Sequence, residues 1–218
     1  MRVGEGENRM SLRSLAITVI LWSLPVVAGA NTLIIPPRPG QVGLSIQGGY
    51  GGFMSQGSLG ENFGSGPVLA VRVRYRMRYE RAIGLSFEAQ SLDARSSAIF
   101  TDPVTGLVLP NNDQYAASKL SLITSGVDFY KMFGTRTNTT RMLSASAGLA
   151  QVRVTLNDGE QDFRIPDGVY LGAGAGLEKF VWRSWALDMS ARYLAVFVDG
   201  QTNHEFQAAV GLIVYASY

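Results

Sequence analysis

The 218-residue chain has no cysteine, one histidine and a formal net charge of +2, and only 17% of its residues are charged. Those counts exclude a disulfide scaffold, thiolate metal sites and a cysteine nucleophile, and they give no reason to expect a nucleic-acid partner. Twenty-five glycines and an aromatic content of 10% argue for a folded chain rather than a disordered one.

Residues 1–30 read as a cleaved signal peptide. Arg9 and Arg13 supply the positive region, residues 15–27 the apolar one, and Ala28-Gly29-Ala30 the small-residue cleavage site. The apolar run is shorter than the roughly 18 residues a membrane helix needs, and Pro25 interrupts it. Met10 would serve equally as the start of that signal. Cleavage after Ala30 leaves 16 basic and 15 acidic residues. Residues 31–40, with Pro36, Pro37 and Pro39, form a lead-in, and a single strand-rich domain occupies 41–218.

Eight segments in that domain alternate with a period of two, the signature of half-buried strands. They fall at 41–53, 67–79, 82–95, 118–133, 141–156, 168–181, 184–198 and 204–218. Each reaches the roughly 9–11 residues of a tilted membrane-crossing strand. In the second, Leu69, Val71, Val73, Tyr75 and Met77 oppose Arg72, Arg74, Arg76 and Arg78. In the sixth, Val169, Leu171, Ala173 and Ala175 oppose Gly172, Gly174 and Gly176. In the eighth, Phe206, Ala208, Val210 and Leu212 share a face with Tyr218. The fourth and fifth are less regular: their apolar face switches near Ser125 and Gln151, which predicts β-bulges there.

The connections alternate in length. Those at 54–66, 96–117 and 157–167 are long, those at 80–81, 134–140 and 182–183 are short, and Asp199-Gly200 opens a compact last turn. Even-stranded outer-membrane barrels have this rhythm, with short periplasmic turns and longer outer loops. Aromatics gather at strand ends, as membrane interfaces favour. Tyr79, Phe129, Phe133, Trp182, Trp185, Tyr215 and Tyr218 fall at the short-turn end, and Tyr50, Phe53, Phe197 and Phe206 at the other.

With these features the chain resembles the small eight-stranded bacterial outer-membrane β-barrels of the OmpA transmembrane-domain and OmpX type. The resemblance covers residues 41–218 and is architectural. It implies an all-β, eight-stranded antiparallel up-and-down transmembrane barrel in the outer membrane of a Gram-negative cell. Loops would face outward and both termini the periplasm. It also implies that Val210, Leu212, Val214, Ala216 and Tyr218 form the C-terminal signal to the outer-membrane insertion machinery; Ala216 is smaller than the residue usual there. Outer-membrane lipid is the expected surrounding and a monomer the expected state.

In such a barrel, parity puts Arg72, Arg74, Arg76, Arg78, Glu88, Asp128, Glu178, Asp188 and Arg192 in the lumen, because a lipid-facing Arg or Lys at midplane costs about 2–4 kcal/mol. The short turn at Glu80-Arg81 sets Glu88 opposite Arg72 or Arg74, and the turn after Trp182 sets Glu178 opposite Asp188 or one place from it. Gly172, Gly174 and Gly176 would leave room for the arginines. Three readings of this cluster stand: a structural salt-bridged plug, a narrow ion-conducting pore, and an anion or headgroup site.

The remaining motifs are weak. His204 precedes Glu205 and Phe206, so the His-x-Ser pair of barrel lipid A deacylases is missing; a solvated loop-end histidine is expected, and no catalytic residue. The acidic run 157–162 fits a turn better than a calcium ring, so no metal or cofactor is expected. Gly172-x-Gly174-x-Gly176 lies within a strand, not before a helix, which excludes a phosphate loop. Asn138-Thr139-Thr140 has a glycosylation pattern at a turn where none is expected. Around the Asp102-Pro103-Val104-Thr105-Gly106 turn, the loop 96–117 reads as an extended β-ribbon able to contact an extracellular partner. The leading functional reading is a non-enzymatic barrel with a structural or surface-interaction role. Its rivals are a narrow porin-like channel, a lipid A-modifying enzyme and a soluble ligand-binding barrel; the charges on the inner face count against the last.

Overall fold

The computed structural model describes residues 38–54, 57–98, 117–156, 162–182 and 184–216. The signal peptide, most of the lead-in, residues 99–116 of the loop expected to form a β-ribbon, the acidic stretch 157–161 and Tyr218 lie outside the described residues. Strands β1 (Val42–Phe53), β2 (Ser65–Arg78), β3 (Arg81–Ala98), β4 (Ala117–Phe133) and β5 (Thr139–Leu156) are followed by a short β6 (Asp162–Arg164), then β7 (Gly168–Trp182), β8 (Trp185–Val198) and β9 (Gln201–Tyr215). Every strand pairs antiparallel with its neighbour, and β9 pairs back onto β1. The sheet therefore closes on itself, which removes the open edges a flat sheet would leave along its long strands. The strands β6 and β7 both pair with β5, end to end: Arg153 faces Arg164 and Ala150 faces Gly168. They form one stave interrupted at 165–167, so the barrel has the eight staves the alternation predicts.

Registers fix the width of the barrel. Opposed residues run from Gly43 through Arg74, Gly84, Asp128, Ser146, Gly172, Leu194 and Glu205, and return to β1 at Phe53. One circuit climbs ten residues, which for eight strands means a tilt of about 40° and a backbone radius of roughly 8 Å. Side chains from facing walls must then meet on the axis. The short turns are tight. Asp199 and Gly200 at the β8–β9 turn both have positive φ, 51° and 69°. This primed geometry matches the strand twist, and an Asp-Gly pair is suited to it.

The predicted bulges at Ser125 and Gln151 are absent: β4 and β5 pair without a shift from Lys119–Thr155 to Phe133–Arg141. Even-numbered residues of β4 point inward from Leu120 to Met132, and those of β5 from Met142 to Val154. What changes is the chemistry of the interior. At the long-loop end it is apolar, so Leu120, Leu122, Val152 and Val154 are buried inside the barrel with Leu194 and Val196. The loop after β1 adds a helical turn, α1 (Ser58–Asn62), that the sequence reading did not anticipate. Leu59 and Phe63 from this segment insert into the same cluster, Asn203 Oδ1 accepts from the Leu59 N–H at 2.9 Å, and Phe63 bridges to Ala94 on β3. Fully burying Phe63 contributes about 2–3 kcal/mol. Smaller clusters close the short-turn end: Ala82, Tyr130, Met132 and Met142 on one side, Phe180, Ala186, Ile213 and Tyr215 on the other. Two apolar layers thus sandwich the middle of the lumen.

Candidate functional site: the luminal charge network

Between those layers lie four guanidinium groups, Arg72, Arg74, Arg76 and Arg192, and five carboxylates, Glu88, Asp128, Glu178, Asp188 and Glu205, all buried. Strand parity brings them there. Their outward neighbours Leu69, Leu85, Phe87, Phe129, Leu171 and Val210 are exposed, so each strand separates charge from hydrocarbon residue by residue.

The arginines reach across the barrel. Arg74 and Arg76 on β2 both donate to Glu178 on β7, the diametrically opposite stave; the Arg76 Nη2 to Glu178 Oε2 distance is 2.5 Å. Tyr215 Oη donates to Glu178 Oε1 at 2.6 Å and accepts from Arg76 Nη2 at 3.1 Å. Arg74 also reaches Asp188 Oδ2 at 3.4 Å, to which Ser45 Oγ donates at 2.8 Å. The two arginines stack on aromatic rings, Arg74 over Tyr130 at 4.4 Å and Arg76 over Tyr215 at 4.9 Å. One level up, Glu88 Oε1 accepts from Arg72 Nη2 at 2.7 Å and from Arg192 Nη1 across the lumen. Arg192 Nη2 continues to Asp128 Oδ1 at 3.1 Å and Ser146 Oγ at 2.8 Å. Arg72 Nη1 donates to Gln47 Oε1, and to Ser190 Oγ at 3.1 Å. Above this, Gln207 Nε2 donates to Gln90 Oε1 at 3.3 Å and Glu205 Oε1 at 2.9 Å. The planar, always-charged guanidinium suits such multidentate bridging.

Most of the expected pairings form. Glu178 sits directly opposite Asp188, and Arg74 binds both carboxylates. Glu88 is opposite Ala70 rather than Arg72 or Arg74, two residue pairs along from Arg72, and the bridge to Arg72 is diagonal. Of the three glycines, Gly174 accommodates an arginine: a Cβ there would meet Arg192 Cγ at 3.0 Å, whereas Gly172 lies against Ser146 and Leu194 and Gly176 against Met142.

Three placements differ from the sequence reading. Arg78 is exposed, because the β2–β3 register shifts between Arg76 and Arg78 and turns it to the rim. Tyr215 and Phe53 point inward rather than joining the outer aromatics; the first is a structural part of the charge network, the second of the apolar cap. Gln90 lies in the lumen with Glu88, and Ser45, Gln47, Glu205 and Gln207 are luminal residues the sequence reading passed over. Their signal was present, since they alternate with outward-facing Leu44, Ile46, Ala89 and Phe206.

The other expected sites have clear positions. Tyr79, Phe129, Trp182, Trp185, Phe197 and Phe206 are all exposed on the outer surface. Val210 and Leu212 face outward with them, as do Val214 and Ala216 by parity. His204 is outward-facing and half-buried rather than freely solvated; its Nδ1 lies 2.5 Å from Tyr193 Oη and the rings stack at 5.8 Å. Among the described residues no cluster of three or more His, Asp or Glu could hold a metal ion.

The outer surface carries two charged borders. Lys131, Arg141 and Lys179 face outward near the short turns, and Asp93, Lys119 and Arg153 near the long loops. Between them the outward positions of the strands hold no Asp, Glu, Lys or Arg. Arg141 and Arg153 are twelve residues apart on β5. With a rise of about 3.4 Å per residue and a tilt of about 40°, the separation is about 30 Å along the axis, enough to frame an apolar band of about 25 Å.

No family model matches the sequence, and no curated protein matches it either. Solved structures do match the fold. The Neisserial surface protein A (NspA) is 16% identical, with a TM-score of 0.58 over 79% of this chain and 96% of its own. The outer membrane protein OprG from Pseudomonas aeruginosa is 11% identical, with a TM-score of 0.56 over 85% and 100%. The outer membrane protein AlkL in DMPC bilayers is 13% identical, with a TM-score of 0.52 over 87% and 96%. The fold is that of the small eight-stranded outer-membrane β-barrels, as the sequence resemblance implied.

Proposed function

We propose that this chain is an integral outer-membrane barrel whose lumen is a closed, salt-bridged plug, and that its role is structural or surface-interacting rather than catalytic or conductive. One observation carries the reading. The cavity among Arg72, Arg74, Tyr130, Ser190 and Arg192 measures about 10 Å³, at the lower limit for a single water. Four arginines cross the axis above and below it, and apolar layers close both ends. An ion would have to break buried ion pairs to pass, each costing several kcal/mol to open. The uncharged outward band, its aromatic borders and the fold of the matched barrels support placement in an outer membrane. The alternation of turn lengths supports long loops outside and termini in the periplasm.

Planar-bilayer recording of the refolded chain tests the plug. The expected result is no unit conductance beyond baseline. Stable, reproducible unit steps would overturn the proposal in favour of a channel. Placement is checked separately: the folded barrel should resist SDS until boiled and then shift on a gel.

A further inference from the structure

The two ends of the barrel differ in charge: among the described residues the short-turn end is strongly basic and the long-loop end nearly balanced. Around the short turns Arg78, Arg81, Lys131, Arg136, Arg141 and Lys179 are exposed, with Glu80 the acid among them. At the long-loop end Glu61, Asp93, Asp167 and Asp199 stand against Arg95, Lys119 and Arg153. The basic end is also arranged against its own stability. Register sets Arg78 opposite Arg81, and Arg81 opposite Lys131. Like charges directly opposed on a sheet repel. Glu80 relieves one of them: it accepts from Lys131 at 2.6 Å. That hydrogen bond, and the lysine charge behind it, hold the Glu80 carboxyl below the usual carboxylate range. Arg78, Arg81 and Arg136 form no salt bridge among the described residues, and Glu80 acts on Arg81 and Arg136 only through longer-range attraction.

These three arginines line one pocket of about 560 Å³, together with Tyr79, the hydroxyl-bearing Thr135 and Thr137, and Glu80, whose carboxylate is held by Lys131 and leaves three cations to one acid on the pocket wall. Arg136 lies over the Tyr79 ring at 5.7 Å. Arg81 also borders a second groove, of about 510 Å³, on the outer wall between β2, β4 and β5. Below the cations Arg81 and Lys131 at its border, that groove is mainly apolar and is lined by Met77, Phe129, Leu143 and Ala145, all exposed on the lipid-facing side. A cationic pocket at the interface, continuous through one shared arginine with an apolar groove in the band, has the form of a headgroup site joined to an acyl-chain site.

We infer that the rim formed by Arg78, Arg81 and Arg136, with the Met77–Phe129–Leu143 groove below it, binds an anionic phospholipid of the leaflet that meets the short turns. The phosphodiester relieves the unbalanced guanidinium repulsion, and one chain fills the groove. The inference rests on the membrane placement proposed above, which the heat-shift gel checks independently for each variant. Each basic residue near an anionic surface contributes about 1 kcal/mol, or about fivefold in affinity.

The test is native mass spectrometry of the refolded full chain, released from nanodiscs of equal dioleoylphosphatidylglycerol and dioleoylphosphatidylcholine. The expected spectrum shows phosphatidylglycerol retained over phosphatidylcholine. In R78Q/R81Q/R136Q that preference should fall about tenfold or more, while the long-loop-end variant K119Q/R153Q keeps it. A145W, which fills the groove and leaves every cation, should also lower retention. Equal retention of the two lipids, or a preference unchanged in the triple variant or in A145W, would overturn the inference. Complete displacement of the lipid by millimolar inorganic phosphate would also overturn it, because the site would then be a phosphate site without a chain. So would arginine-dependent binding of an acidic muramyl peptide without any phosphatidylglycerol preference, since the rim would then meet the cell wall.

Discussion

Glu178→Ala is the sharpest test of the luminal network. Glu178 is fully buried and is the shared acceptor of Arg74, Arg76 and the Tyr215 hydroxyl. Truncating it leaves Arg76 with no carboxylate and Arg74 with Asp188 alone, at 3.4 Å. Breaking a buried pair by removing one partner costs about 3–5 kcal/mol, because the remaining charge stays desolvated. Two guanidiniums are affected here, so the upper part of that range is expected. Glu88→Ala should cost somewhat less, about 3 kcal/mol: Arg192 keeps Asp128 and Ser146, while Arg72 loses its carboxylate but keeps Gln47 and Ser190. The assay is urea unfolding of the refolded barrel in lipid vesicles, read by tryptophan fluorescence. A cycle with Arg76→Met and Glu178→Gln should give a coupling energy of about 2–3 kcal/mol. A shift below about 0.5 kcal/mol for Glu178→Ala, no larger than an ordinary surface substitution, would refute the claim that these pairs hold opposite walls together.

Three further outcomes follow from the same geometry. In Gly148→Val the new side chain would collide with the Tyr170 ring and with the Ser125 carbonyl, so the urea midpoint should drop by about 1–3 kcal/mol. Phe63→Ala empties the centre of the apolar cap and should cost about 3–5 kcal/mol in the same assay, without producing unit conductance in a planar bilayer, because the charged layers beneath stay closed. For Glu80 the sign is that of a depressed carboxylate: its contact with Lys131 stabilises above the ordinary carboxylate pKa and fades as pH falls through the lowered value. A carboxyl titration by NMR should show Glu80 ionising below the usual range, and moving back toward it in Lys131→Met, with Arg81 and Arg136 still attracting the carboxylate.

The walls of the barrel were legible because alternation is local. Whether Arg72 or Val73 faces lipid is decided by the pleat alone, so parity placed eight of the nine expected charges inside. Arg78 escaped that logic because a one-residue register shift undoes parity without changing the sequence pattern. The supposed bulges in β4 and β5 came from taking apolar to mean outward. Leu120, Leu122, Val152 and Val154 are inward and apolar because they meet the loop-borne Leu59 and Phe63, and no period in β4 or β5 could announce that partner.

By itself, then, the sequence determined strand number, the antiparallel order implied by short turns, and the sorting of side chains into outer and inner faces, since each depends on neighbours a few residues away. The tertiary structure decided which inner side chains meet. The ten-residue climb round the barrel sets the heights at which facing walls oppose one another, bringing Arg76 to Glu178 and Arg192 to Glu88 across staves more than a hundred residues apart in the chain. That stagger is a property of the closed sheet, so no single strand encodes it.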